Sequence, residues 1–175
     1  AADGFGVSPL KSGTAAVWTA SSLEKVSPLR FPTEHELTAT PRVDYDIACR
    51  GSASAQVLVS TAADVEWSDA TLRLSGLTDR KGRRFGGRFE WRRVGYIPRE
   101  TFIMPHPLSP DPRENWIPDP LLPAGPFKVR KGSTQALWVS VHADPDAEAG
   151  IYFGEIEVVE GGEIKSRVSV SVKVR

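Results

Sequence analysis

Apolar and polar residues alternate along most of this chain, and no stretch of a dozen residues carries a clean 3.6-residue period. The alternation predicts about nine strands, over residues 15–20, 43–49, 55–60, 70–75, 88–97, 127–130, 135–142, 151–159 and 163–174. Many short strands separated by turn clusters predict an all-β fold: an antiparallel β-sandwich, immunoglobulin-like or jelly-roll-like, with little or no helix. Two Pro-bearing stretches, 27–41 and 98–126, look too irregular for ladder strands and read as long loops. The second has eight prolines between Pro105 and Pro126, which fix φ and remove backbone donors. Trp116, Ile117, Leu121, Leu122 and Phe127 give it apolar anchors, so it reads as an ordered excursion of the kind that forms interfaces.

The C-terminal hairpin is patterned most clearly. Tyr152, Gly154, Ile156 and Val158 share one face of the first strand; Ile164, Val168, Val170, Val172 and Val174 share one face of the second. A two-residue Gly161-Gly162 loop would pair Val158 with Lys165 and put a charge on the core face. The expected solution is a bulged three-residue turn, Glu160 to Gly162, that pairs Val158 with Ile164, Glu157 with Lys165 and Glu155 with Arg167.

Composition narrows the picture. The 175 residues fit one domain, and 22 basic against 22 acidic side chains leave no net charge, unlike a dedicated nucleic-acid binder. No apolar run is long enough to span a membrane. The single cysteine, Cys49, cannot pair within the chain and reads as a small buried side chain at the end of an alternating strand. The segment Arg80 to Arg93 holds seven basic residues and one acid. With Phe89 and Trp91 alternating against Arg88, Glu90 and Arg92, it reads as a turn followed by a strand with one solvated face. Docking against an acidic partner surface is its functional alternative.

No catalytic constellation stands out. His35, His106 and His142 fall at no metal-ligand spacing, and the acids of Asp144, Asp146 and Glu148 lack the Gly and closing Glu of a calcium loop, so neither metal nor cofactor is expected. There is no nucleophile elbow or Cys–His set. Asp111, Glu114 and Asp119, beside Trp116, are the carboxylates closest to what glycoside hydrolysis would need, and they also suit a Pro-rich loop without catalysis. Tyr96 and Trp116 read either as anchors for a neighbouring domain or as a sugar-stacking platform.

From Ala16 onward the order of motifs resembles the N-terminal β-sandwich of glycoside hydrolase family 123 and its relatives. The residues that carry the likeness are Val17-Trp18-Thr19-Ala20-Ser21-Ser22 with Leu23-Glu24-Lys25-Val26, Ala55-Gln56-Val57-Leu58-Val59, Val94-Gly95-Tyr96-Ile97, Pro118-Asp119-Pro120-Leu121-Leu122-Pro123, Gln135-Ala136-Leu137-Trp138-Val139, and Ala149-Gly150-Ile151-Tyr152-Phe153-Gly154-Glu155-Ile156. Where that family usually has a pair close to Asn-Glu before the Gln56 strand, this chain reads Arg50-Gly51-Ser52-Ala53-Ser54.

The resemblance implies a single sandwich domain placed before a separate (β/α)8 barrel. That barrel carries an adjacent Asp–Glu pair for substrate-assisted removal of β-linked N-acetylgalactosamine. No catalytic residue of the barrel falls within these 175 residues, so this domain is expected not to be an enzyme by itself. Its partner would be the barrel of the same polypeptide, with Tyr96, Trp116, Asp119 and Leu121 as the expected interdomain or ligand contacts. A carbohydrate-binding module using exposed aromatics is the alternative, with glycan as its partner. Such proteins are typically exported from bacteria, which makes a secreted, periplasmic or cell-surface location the expectation.

Overall fold

A computed structural model describes residues 8–98 and 112–175. It shows ten strands: β1 (Ala15–Ser21), β2 (Arg42–Ile47), β3 (Ser52–Thr61), β4 (Trp67–Leu74), β5 (Gly87–Pro98), β6 (Trp116–Leu122), β7 (Phe127–Val129), β8 (Thr134–Ala143), β9 (Gly150–Glu160) and β10 (Glu163–Val174). They form two five-stranded sheets, ordered β1-β3-β8-β5-β6 and β2-β10-β9-β4-β7, so the β-sandwich expected from the alternation is present. One pairing departs from the antiparallel rule: β2 lies parallel to β10, with Val43 beside Val170 and Tyr45 beside Val172.

The space between the sheets is filled by alternate residues. Val57, Val59, Leu137, Val139 and Val141 come from one sheet and Tyr152, Ile156, Val158, Val168, Val170 and Val172 from the other. Removing each such side chain from water contributes about 1.5 to 3 kcal/mol, which is why period two decides the architecture.

The sheet containing β3 is also buried on its outer face. Trp18, Leu58, Val94 and Ala136 form a second cluster there with Val26, which comes from the stretch after β1. This explains the unbroken buried run Val57-Leu58-Val59: a strand covered on both faces loses its alternation. Leu29 and Phe31 from the same stretch are buried as well. It then forms one short helix, α1 (Glu34–Thr38), closed at its start by a capping box. The Glu36 N–H donates to Thr33 Oγ1 at 3.3 Å, and the Thr33 N–H donates to Glu36 Oε2 at 2.6 Å.

Three expectations are corrected. The stretch 98–126 is not all loop, because Trp116–Leu122 pairs with β5 as an edge strand despite Pro118 and Pro120. An edge strand needs ladder donors on one side only, and proline is tolerated there. Residues 99–111 lie outside the described residues.

The hairpin turn holds two residues, not three. Gly161 and Gly162 have φ of 58° and 84°, and Glu160 pairs with Glu163. The conflict over Lys165 is removed by a bulge between Ile164 and Ser166, after which Arg167 pairs with Glu157 and Val168 with Ile156. The extra residue flips parity, so Ile164 falls off the core face and is exposed. Arg167 nonetheless reaches both Glu155 (3.0 Å) and Glu157 (3.4 Å).

Cys49, finally, is exposed rather than buried, since β2 stops at Ile47 before the alternation reaches it. Its Sγ lies 3.3 Å from the Ala147 carbonyl oxygen.

Candidate functional site

The two sheets end on one side in edge strands β6 and β7, and β5 behaves unusually there. Its pairing with β8 runs from Gly87–Ala143 to Arg93–Leu137 and then stops. Beyond Arg93, β5 continues with β6 alone. Two strands that part in this way leave backbone groups without ladder partners, and buried ones must be satisfied by side chains.

Gln135 and Tyr96 do this. Gln135 Nε2 donates to the carbonyl oxygens of Val94 and Ala136, both at 2.8 Å. Across the same gap the Ala136 N–H donates to the Tyr96 hydroxyl at 3.1 Å, and that hydroxyl donates to the Thr134 carbonyl at 3.4 Å. Burial pushes the Tyr96 phenol well above its ordinary range, and the Ala136 N–H only partly offsets this, so the group stays neutral.

The strand separation leaves a pocket of about 190 Å³ whose walls include Tyr96, Gln135, Trp116, Arg93, Lys128 and Arg130. The Arg130 guanidinium carbon sits 5.5 Å from the centroid of the Trp116 ring, over its face. Arg113 also lines the pocket and donates to the carbonyls of Lys131 (3.2 Å) and Gly132 (3.0 Å). Arg93, Lys128 and Arg130 also border an adjoining open groove of about 660 Å³, which runs past Phe127 and has Glu66 at its wall.

Of the residues expected to make contacts, Tyr96 and Trp116 thus meet at one pocket. Asp119 and Leu121 lie on exposed positions of β6, which alternates half-buried and exposed residues from Trp116 to Leu122. Leu121 pairs with Val94, and Ile117 with Ile97. Leu121, Ile117 and Ile97 are 41%, 37% and 46% exposed along β5 and β6, with Asp119 between Ile117 and Leu121 on the same face of β6. Asp111 and His106 lie outside the described residues.

The basic segment divides in two. Arg83 is paired with Asp79 at 2.7 Å and also with Glu148, while Phe89 and Trp91 pack on the core between the sheets. Arg88 and Arg92 are exposed, and Glu90 lies 3.4 Å from His142. Glu148 is thereby committed to Arg83, and its carbonyl accepts from the Tyr152 hydroxyl at 2.9 Å, which makes the Asp144–Glu148 stretch a structural turn. Among the described residues no group of three or more His, Cys, Asp or Glu is placed to hold a metal. No helix among them is long and apolar enough to cross a membrane.

The sequence reading missed Lys128 and Arg130 as members of the site. The signal was available, because Phe127 and Val129 are the buried alternates of β7 and leave Lys128 and Arg130 outside.

No protein-family model matches the sequence, and no curated protein matches it. Solved structures do match its fold. A family 123 glycoside hydrolase from Clostridium perfringens, described for its hydrolysis of glycolipid glycans, superposes with a TM-score of 0.71 at 17% identity over 93% of this chain. The chain spans 27% of the length of that hydrolase. The N-terminal domain of PorA matches with a TM-score of 0.40 at 8% identity, over 91% of this chain and 97% of that one. The chain therefore shares its fold with one part of the Clostridium perfringens hydrolase.

Proposed function

We propose that this chain is a non-catalytic β-sandwich accessory domain of an exported carbohydrate-active protein, packing against a separate catalytic barrel through the β5–β6 edge. The observation that carries the reading is the lopsided overlap: nearly all of this chain fits a little over a quarter of a glycoside hydrolase. The half-exposed Ile97, Ile117 and Leu121 support it, since exposed apolar side chains grouped at one sheet edge are what a neighbouring domain covers, with Asp119 between Ile117 and Leu121 as a polar contact. The aromatics favour this over a stacking platform for sugars, because Arg130 occupies a face of Trp116 and the Tyr96 hydroxyl is bonded internally.

The test uses the whole polypeptide encoded by the gene. Ile117→Ser with Leu121→Ser should leave the sandwich folded but weaken its coupling to the barrel by about 0.6 to 1.2 kcal/mol per side chain, the share of a full burial still exposed at 37% and 41%, read as a lowered melting temperature of the barrel. Unchanged coupling, or a gene that encodes no barrel beside this domain, would overturn the reading.

A further inference from the structure

Three of the cations at the strand separation are set apart by where they converge, since other arginines without an acidic partner, such as Arg88 and Arg92, line neither this pocket nor its groove. Arg93, Lys128 and Arg130 converge on one pocket, and no carboxylate among the described residues pairs with any of them, whereas Arg30, Arg42, Arg83, Arg167 and Arg175 all have acidic partners. No acid stands among the described residues lining the 190 Å³ pocket. Like charges held together at the mouth of a concave site repel one another, and a bound anion relieves that repulsion while accepting charge-assisted hydrogen bonds. Guanidinium groups suit planar or tetrahedral oxyanions in particular.

We propose that this pocket binds the anionic group, a carboxylate or a sulfate ester, of an acidic saccharide. The pocket volume fits a compact group rather than an extended ligand; sites for drug-sized molecules begin near about 300 Å³. The adjoining 660 Å³ groove, bordered by the same three cations and by Phe127, accommodates the rest of the sugar. Trp116 and Tyr96 act as walls that fix the position of the anion, and neither ring needs to stack. That the ligand is a saccharide rests on the carbohydrate-related reading above; that it is anionic rests on the pocket alone.

Calorimetric titration of this chain with methyl β-glucuronide and with a sulfated N-acetylhexosamine tests it, against their neutral counterparts. At least one acidic sugar should bind, its neutral counterpart should not, and raising salt from about 0.1 M to about 1 M should weaken binding several-fold. Lys128→Gln and Arg130→Gln, at exposed positions where folding is not at risk, should each weaken binding about tenfold, the loss of one charge-assisted hydrogen bond. Arg167→Gln, on the other sheet, should leave it unchanged. Absent binding, equal binding of neutral and acidic sugars, or binding that survives both substitutions would overturn the proposal. So would capture of an oligo-aspartate peptide or inorganic sulfate with no response to either sugar, which would assign the cations to a protein partner or a bare anion. None of these outcomes bears on coupling to a barrel, which the melting experiment reads separately.

Discussion

The sheet β1-β3-β8-β5-β6 carries an apolar cluster on each face, and the two are held by different means. The inner cluster meets another sheet, whose backbone groups are already bonded in its own ladders, and it is almost wholly apolar. Its principal polar tie is the Tyr45 hydroxyl, which donates to the Val139 carbonyl at 2.9 Å. The outer cluster meets irregular chain, residues 22–41, whose carbonyls have no ladder to join. The Thr134 N–H donates to the Pro28 carbonyl at 2.8 Å, and side chains of the sheet satisfy others. Gln56 Nε2 donates to the carbonyls of Ser21 and Glu24, both at 2.8 Å, and Thr134 Oγ1 donates to the Arg30 carbonyl at 2.6 Å. Trp18 Nε1 donates to Ser60 Oγ at 2.9 Å beneath the Arg30 guanidinium. Covering a sheet with a sheet takes alternation alone; covering it with a loop takes buried polar side chains at chosen places.

The largest expected effect breaks the inner cluster. Ile156→Ala removes a fully buried side chain and should destabilise the whole domain by about 2 to 5 kcal/mol, with both clusters unfolding together in urea. A smaller effect should separate the two. Gln56→Leu strands the Glu24 carbonyl, while that of Ser21 keeps the Glu24 N–H at 3.2 Å, and should destabilise by about 1 to 3 kcal/mol. Amide exchange should quicken in residues 22–41 while β9 and β10 keep their protection; uniform quickening would show that the outer cover is part of the same cooperative unit.

The smallest effect depends on pH. The Arg30 guanidinium, assisted by the Thr33 N–H and hydroxyl, holds the Glu36 carboxyl down from 4.5 to about 2 against the opposing effect of burial. A carboxyl depressed on folding contributes stability that is complete above its unfolded value and is lost as pH falls from 4.5 towards about 2. Melting temperature against pH should therefore fall more steeply across that window for the native chain than for Glu36→Gln. Equal slopes would mean that the Arg30–Glu36 pair does not help hold the cover.

This contrast also explains what the sequence made legible. The nine predicted strands are all present because a sheet-on-sheet interior is written in period two. The tenth, β6, was hidden by Pro118 and Pro120, which exclude a central strand but not an edge. The outer cover was not recognised although Thr33 and Glu36 stand at capping-box spacing, because short helices leave little periodicity to detect. The hairpin register failed at Lys165, where a bulge solved a conflict that a change of turn length was expected to solve. At the site, Tyr96 and Trp116 drew notice as aromatics. Arg93 was absorbed into a charged run, and its convergence with Lys128 and Arg130 depends on β5 parting from β8, a tertiary event with no local signature.

The parallel neighbour of β2 has a consequence for biosynthesis. β10 lies between β2 and β9, and the Arg175 N–H donates to the Ile47 carbonyl while the Cys49 N–H donates to the Arg175 carbonyl. A strand made early must wait for β10, more than a hundred residues later, before its ladder exists. On the ribosome β2 therefore emerges with no strand to pair with, and this sheet closes only after β10 has followed it out.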